Sequence, residues 1–343
     1  MQRVGVQRVS ITQIASDLGV SAMSVSVALR GKPGVSEKLR ARILARAEEL
    51  GYRPDPVASE LMSMVRAQQR AKGVETIAFI NTFAEPALFA RIPGLIDFLH
   101  GAQARAVDYG YHVEQFDAGQ RGLSGRRLAE ILKARGVRGL LVGPRWRTEP
   151  DIDFPWKDFS VMLVGESKYG PNLHRVCNHQ MHSCTTLLTA LVARGYRRIG
   201  LALVKEDEVN HGYGYLLGLE QFRLSAPNEV QVETWLYQDY DEGAFSQWVS
   251  DRGLDAVVSL PVQPGELVPQ LRTATGEAVG YANLNVVVGS KYSGINQFAP
   301  EIGAVAVDML RSLLLSGERG MAPRPHIVLV EGMWVDGETT RGI

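Results

Sequence analysis

Residues 12–29 read TQIASDLGVSAMSVSVAL and contain two short helical patterns separated by one turn. Thr12 can act as the N-cap of a helix over Gln13–Leu18, and Ser21 as the N-cap of a second helix over Ala22–Leu29. The stretch therefore predicts a helical hairpin.

Three positions in this hairpin are spaced as in a helix-turn-helix motif. Ala15 is small where the two helices must cross closely, and Gly19 stands where the turn favours a positive φ angle. Val25, six residues later, would fill the angle between the helices. This spacing alone also fits a protein-interaction hairpin, so the flanking sequence has to decide.

A third helix is predicted after the hairpin. Ser36 can cap it, and Gly51 ends it. The residues on its apolar face follow helical spacing: Leu39, Ile43, Ala47 and Leu50.

Charge is distributed unevenly along the chain. Residues 1–72 contain 12 Lys and Arg against 6 Asp and Glu, which is a net charge of +6, and the remainder carries −6. Such asymmetry is expected when one end of a protein binds a polyanion. A basic terminus that is merely solvated is the alternative.

The sequence after the third helix resolves these alternatives. Residues 51–61 read GYRPDPVASEL, and residues 20–30 read VSAMSVSVALR. Both runs resemble the headpiece and hinge of LacI/GalR transcription regulators, and the resemblance extends weakly over the rest of the chain. It implies a protein that binds double-stranded operator DNA as a homodimer, with the second helix in the major groove.

The resemblance also implies which residues contact DNA. They are Thr12, Ser21, Ala22, Met23, Ser26, Val27, Arg30, Lys32, Ser36, Tyr52, Asp55, Ala58 and Leu61. Val27 stands where the family usually has Arg, and Arg30 stands where it usually has Asn. The family's operator preference therefore cannot be carried over, and Arg30 is expected at a phosphate or at guanine O6/N7.

Three segments are expected along the chain: a headpiece over residues 1–53, a hinge helix and linker over 54–74, and a core over 75–343. In the family, a hinge leucine wedges into the minor groove of kinked DNA, and Leu61 matches it. A linker residue docked on its own core is the alternative for Leu61.

The core alternates short apolar strands with amphipathic helices, from Ile77–Ile80 to Ile327–Glu331. This pattern predicts doubly wound parallel sheets covered on both faces. About 270 residues exceed one hydrophobic core, so two α/β lobes are expected. We assign lobe 1 to residues 75–178 and 299–326, and lobe 2 to 179–298 and 327–343.

The weaker part of the resemblance implies a periplasmic-binding-protein-like core with a ligand between the lobes. Residues 191–200, LVARGYRRIG, carry it, together with residues 279–281, VGY. Tyr215 replaces a family arginine, and Asn178 and Ala282 replace family aspartates. Loss of both signs of charge predicts a neutral or weakly polar effector, most simply a sugar or glycoside stacked on aromatic rings. The expected contacts are Phe83, Trp146, Asn178, His211, Tyr215, Tyr240, Tyr281, Asn283 and Gln297.

Other functional classes find little support in the sequence. It has no apolar run long enough to span a membrane, no signal-peptide pattern and no catalytic motif such as GxSxG or HExxH. Cys177 and Cys184 are too few for a disulfide framework or a zinc site. His174, His179 and His182 cluster loosely and are interpreted as surface-loop residues. A cytoplasmic, nucleoid-associated regulator is expected, without enzymatic activity, cofactor or metal; a core that responds to a protein partner or to no ligand, or a sugar-binding or enzyme core, is the alternative.

Overall fold

The computed structural model describes residues 9–29, 34–52, 75–92, 94–119, 123–145, 152–167, 170–261, 263–287 and 289–342. The chain forms two compact units, Met1–Lys72 and Gly73–Ile343. The first is the headpiece and the second is the core, and each is described by itself below.

The described part of the headpiece contains three helices: α1 (Ile11–Leu18), α2 (Ala22–Leu29) and α3 (Glu37–Glu49). Ser10, not Thr12, caps α1, because its hydroxyl accepts a hydrogen bond from Gln13 N at 3.1 Å. The caps predicted at Ser21 and Ser36 are confirmed, with donors Ser24 N at 3.1 Å and Leu39 N at 3.3 Å.

A small apolar core holds these helices together. Its buried residues come from all three helices: Ile14, Ala15, Val25, Ala28, Ile43 and Ala47. Gly19 ends α1 at φ 63°, in the left-handed region that the turn was predicted to need. On the surface, Arg46 Nη2 of α3 lies 2.6 Å from Asp17 Oδ2 of α1, and this arginine lowers the pKa of Asp17.

The core contains two sheets of six described strands each. The first has the order β11-β5-β4-β3-β1-β2 and the second the order β12-β10-β9-β8-β6-β7. The strands are β1 (Glu75–Asn81), β2 (Tyr111–Asp117), β3 (Gly139–Val142), β4 (Ser160–Val164), β5 (His174–Asn178), β6 (Arg198–Val204), β7 (Gln231–Tyr237), β8 (Ala256–Ser259), β9 (Gly280–Asn283), β10 (Ser293–Asn296), β11 (Ile327–Val330) and β12 (Met333–Val335). The pairs are parallel except for β10 with β12.

Helices cover both faces of each sheet. They are α4 (Pro86–Arg91), α5 (Leu95–Asp108), α6 (Gly125–Ala134), α7 (Gln180–Ala193), α8 (Lys205–Asn210), α9 (Gly214–Arg223), α10 (Glu242–Asp251), α11 (Gln263–Leu267) and α12 (Ala299–Ser316). Short 3₁₀ turns occupy Trp156–Asp158 and Val268–Gln270. The predicted fold class, a helical headpiece and a core of two doubly wound lobes, is confirmed.

The continuous apolar strands follow from this layering. In β1, Ile77 and Phe79 enter the core on one face of the sheet, whereas Ala78 and Ile80 enter the core on the other. Because both faces of this strand are buried, its residues Ile77–Ile80 are apolar throughout and do not alternate with polar residues.

The chain passes between the lobes after β5, after β10 and after β11. We predicted that residues 327–343 belong to lobe 2, and this is wrong for Ile327–Val330. Strand β11 pairs with β5 in the first sheet, with Val330 opposite Asn178, so the last crossover follows Val330.

Candidate DNA-binding surface and ligand cleft

The outer face of α2 is the candidate DNA-reading surface. Ser21, Ala22 and Met23 at its start are exposed, and Met23 is 65% exposed. Val25 and Ala28, on the opposite face, are buried in the headpiece core. A helix of eight residues thus presents its N-terminal side chains outward, while Val25 and Ala28 anchor its other face.

The remaining predicted contact residues in the described headpiece differ in exposure. Ser26 and Val27 of α2 are half-buried, and Thr12 and Ser36 are exposed. Tyr52 packs against the headpiece core. Arg30, Lys32, Asp55, Ala58 and Leu61 lie outside the described residues, so their predicted DNA contacts stay predictions.

A cleft of about 410 Å³ lies between the two lobes of the core. Lobe 1 contributes residues at the ends of β3, β4 and β5 and at the start of α5. Lobe 2 contributes residues of α7, α8 and α9 and residues that follow β8 and β10. The described lining is Ile92, Gly94, Leu95, Phe98, Pro144, Gly165, Glu166, Asn178, Gln180, Asp207, Asn210, His211, Tyr215, Leu260, Pro261, Gln263, Asn285, Gln297 and Ala299. Several of these residues stand just beyond the carboxyl ends of parallel strands, where such folds bind ligands.

Tyr215 and Gln297 form the polar centre of the lobe 2 wall. Gln297 Nε2 donates to the Tyr215 hydroxyl at 2.9 Å and to Leu284 O at 2.7 Å. Burial raises the pKa of Tyr215, so this hydroxyl stays protonated and can donate in turn. The His211 ring meets the Tyr215 ring edge-on at 5.7 Å, and burial lowers the pKa of His211 to about 4, which keeps the imidazole neutral near pH 7.

Two buried amides in the lining have atoms without a hydrogen-bond partner. Asn178 Nδ2, a donor, and Asn210 Oδ1, an acceptor, are both inaccessible to solvent and unpaired in the described structure. Their residues are only 5% and 3% exposed. Buried polar atoms are usually paired, so a ligand with both acceptors and donors could satisfy these two if the amide side chains turn toward the cleft.

Charge is present in the cleft, which corrects the expectation that charged groups are largely absent there. Glu166 and Asp207 line it. Glu166 is bound by Arg175, whose Nε lies 3.1 Å from its Oε1. Burial raises the pKa of Asp207, and also raises that of the neighbouring Glu208, to about 7.

The structure brings four of the predicted effector contacts together and separates four others from the cleft. Asn178, His211, Tyr215 and Gln297 line it. Phe83 instead lies in the core of lobe 1, and Tyr240 packs against Trp235 and Phe245. Trp146 lies outside the described residues.

Tyr281 and Asn283 are held in an internal network of lobe 2. Asn283 Nδ2 donates to the Tyr281 hydroxyl at 2.8 Å and to Leu260 O at 3.0 Å. The Tyr281 hydroxyl also lies 2.8 Å from Ser259 Oγ. Their polar atoms therefore brace the ends of β8 and β9 and are absent from the lining of the cleft.

Sequence reasoning missed the polar residues of α8 and the start of α7. Asp207, Asn210 and Gln180 line the cleft, yet none of them was predicted. Asp207 and Asn210 follow β6 directly, and their position after the carboxyl end of a predicted strand was the signal that could have identified them.

A helix-turn-helix headpiece followed by a two-lobed, doubly wound core with an interlobe cleft defines a class of bacterial regulatory proteins. Residues 10–55 match the model of the family described as bacterial regulatory proteins, lacI family. Residues 10–55 of this chain are therefore a headpiece domain of this family. No helix in the described parts of the chain has the length and apolar character that crossing a membrane requires.

Individual relatives agree with this assignment. The HTH-type transcriptional regulator GntR of Escherichia coli (strain K12) is 31% identical over 235 residues, which are 66% of this chain and 65% of GntR. The matches span 64% to 65% of the length of the first curated relatives.

Solved structures share the fold. The transcriptional regulator CelR–cellobiose complex superposes with a TM-score of 0.57 at 20% identity, over 97% of this chain and 100% of that one. The lac repressor dimer bound to operator and an anti-inducer gives a TM-score of 0.54 at 18% identity, over 98% and 100%.

Proposed function

We propose that this protein is a sequence-specific DNA-binding transcription regulator, acting as a repressor, that binds a pseudo-palindromic operator as a homodimer. The observation that carries the proposal is the outward face of α2, with Ser21, Ala22 and Met23 exposed at its N-terminal end. In helix-turn-helix proteins this end of the second helix meets base edges in the major groove. One headpiece contacts only a few base pairs, so two symmetric copies are needed for high specificity.

Selection of bound duplexes from a random DNA pool tests this function. The expected product is an inverted repeat, since two identical headpieces read two half-sites. Met23→Ala should then weaken binding to the selected operator about 5- to 10-fold, as expected for loss of about 1 kcal/mol of contact to base edges. Its binding to random duplex should change little.

Val25→Ala is the matched comparison for Met23→Ala. Val25 is fully buried, so its truncation removes about two buried methyl groups from a six-residue core and should lower binding to operator and random duplex alike. Fluorescence anisotropy on both duplexes measures the two patterns. The proposal would be contradicted if the selection enriched no common DNA sequence. It would also be contradicted if Met23→Ala and Val25→Ala weakened binding to operator and to random duplex by the same factors.

We further propose that the interlobe cleft binds a saccharide or glycoside as effector. The unpaired Asn178 Nδ2 and Asn210 Oδ1 offer a donor and an acceptor, which matches hydroxyl groups that are both. Asp207 adds an acceptor, and the rings of Tyr215 and Phe98 add apolar surface for a sugar ring.

A thermal-shift panel of mono- and disaccharides and aryl glycosides tests the effector. A sugar at 100 times its dissociation constant should stabilise the folded core by about 2.7 kcal/mol. Tyr215→Ala should abolish the shift and the change in operator affinity, while operator binding without sugar is unchanged.

Tyr215→Phe and Tyr240→Phe form a conservative pair for the same test. Each removes one hydroxyl, but only Tyr215 lies in the cleft lining. Tyr215→Phe should weaken the sugar response and Tyr240→Phe should leave it intact. A panel without any shift, or equal responses of both variants, would indicate a core that serves dimerisation or a protein partner.

A further inference from the structure

Two histidines and a glutamate meet where the first and last crossovers between the lobes run side by side. His179 follows β5, His182 lies in the first turn of α7, and Glu331 follows β11. Among the residues that the structure describes, this is the one group of three His, Cys, Asp or Glu side chains whose ligand atoms all lie within 4.8 Å of one another.

Backbone geometry brings these residues together. The β5–β11 register ends with Asn178 opposite Val330, and His179 N then donates to Val330 O at 2.9 Å. His179 and Glu331 are therefore adjacent across the end of a parallel pair. The Ser183 N to His179 O hydrogen bond, at 2.9 Å, starts α7 and places His182 on the same face as His179, three residues on.

The distances approach those of a metal centre. His179 Nδ1 lies 3.9 Å from Glu331 Oε1, and His182 Nε2 lies 3.9 Å from Glu331 Oε2. Ligands at 2.0–2.1 Å in a tetrahedral zinc site lie about 3.3 Å apart, so rotamer adjustments of less than about 1.5 Å would close the group. His182 Nε2 has one other contact, to Thr186 Oγ1 at 3.3 Å, which a metal would replace.

From this arrangement we infer a zinc site formed by His179, His182 and Glu331. Two imidazoles and one carboxylate are ligands that Zn²⁺ accepts, with a fourth position left for water or another ligand. The side chains are 27%, 38% and 65% exposed, so the ion can enter from solvent.

A zinc ion here would connect two of the three crossover segments that join the lobes. His179 begins the crossover into lobe 2, and Glu331 begins the last crossover out of lobe 1. Bound zinc would therefore stabilise the core and restrict relative movement at these crossovers, independently of any sugar in the cleft.

Zinc titration of the untagged, metal-free full-length protein against a chromophoric chelator tests the site. One zinc per chain is expected. His182→Ala and Glu331→Gln should each weaken binding about 100-fold or more, because loss of even an outer-shell partner costs 10- to 100-fold. Zinc should also raise the melting temperature of the native protein and not that of Glu331→Gln.

His100→Ala is the matched control. His100 is 61% exposed and lies 3.7 Å from Asp97, so it is also a histidine beside a carboxylate, but without a third ligand. Its zinc affinity should equal that of the native protein. Because all these side chains are at least partly exposed, the metal-free melting temperatures should agree.

Cobalt substitution identifies the donor atoms. The Co²⁺ spectrum should lack thiolate charge-transfer absorption, since Cys177 and Cys184 are buried and burial raises their pKa. The site would be overturned by thiolate absorption or by the absence of stoichiometric zinc binding. It would also be overturned if His182→Ala, Glu331→Gln and His100→Ala bound zinc with equal affinity.

Discussion

Single residues were predicted well where backbone geometry dictates the residue type. Gly19 has the positive φ angle that its turn needs, and Val25 is the buried plug between α1 and α2. Tyr215 and Gln297, two of the predicted effector contacts, line the cleft; Tyr215 was chosen because it stands where the family has an arginine, and Gln297 as a polar candidate. Asp207 and Asn210 were missed because a short polar helix after a strand has no apolar period that marks it.

The carboxyl group of Glu208 gives a prediction at this scale. It is 1% exposed and accepts one hydrogen bond, from Leu216 N at 3.1 Å. Burial raises its pKa from the ordinary 4.5 to about 7. The folded protein therefore keeps a proton that the unfolded chain releases above pH 4.5, and stability falls as pH rises from about 4.5 to 7.

Glu208→Gln should remove this pH-dependent loss of stability, because glutamine does not ionise. Relative to the native protein, the variant should gain stability between pH 4.5 and 7, on the order of 3 kcal/mol at the upper end. Thermal unfolding of both proteins over this range measures the difference. His211 titrates in the opposite sense but is present in both proteins, so it cancels. Parallel pH profiles would contradict the assignment.

Whole elements were predicted where their apolar pattern was complete. Strand β3 (Gly139–Val142) has the same first and last residues as the strand predicted there. Strand β7, QVETWLY, was missed because it lies at the edge of its sheet and mixes polar with aromatic residues. The helix predicted over 92–109 begins later, at Leu95, after Gly94 with φ 85°, and the short helix α4 before it was not predicted.

The crossing of α5 and α12 in lobe 1 depends on two glycines. A Cβ on Gly303 would lie 2.0 Å from Phe98 O, and one on Gly101 would lie 1.8 Å from Pro300 O. These neighbours are backbone atoms and cannot rotate away. The two helices therefore approach as closely as they do only because both positions lack a side chain.

Gly303→Ala should destabilise the core by about 3 kcal/mol through overpacking, despite the higher helix propensity of alanine. Val107→Ala is the control, since Val107 is on α5 but 72% exposed and should change stability by less than about 0.5 kcal/mol. Urea unfolding of the full-length proteins compares them. Equal midpoints for both variants would show that α12 can shift without loss of packing.

At the scale of the whole molecule, the sequence predicted two lobes but placed the last crossover too early. Strand β11 reads IVLV, which favours a buried central strand, yet Ile327 and Leu329 are 47% and 46% exposed. It is an edge strand of the first sheet, and sheet order depends on contacts distant in sequence. The distribution of charge, by contrast, can be read directly from the chain.

That distribution leads to a prediction about DNA affinity. The protein is neutral overall, but residues 1–72 carry +6 and the rest carries −6, so attraction to DNA must come from the headpiece. If each headpiece of a dimer neutralises three phosphates, log K should fall with log salt with a slope of about −5. Anisotropy titrations on operator and random duplex over a range of salt concentrations measure it.

Arg126→Ala serves as the control for this titration. Arg126 is 76% exposed in lobe 1, where its Nε lies 2.7 Å from Asp153 Oδ2, so its removal should leave the salt slope unchanged. Random duplex should be bound more weakly than operator but lose affinity with salt in the same way, because phosphate contacts carry no sequence information. A slope shallower than about −1 would contradict the prediction that headpiece charge attracts this protein to DNA. A slope that becomes shallower in Arg126→Ala would contradict it as well.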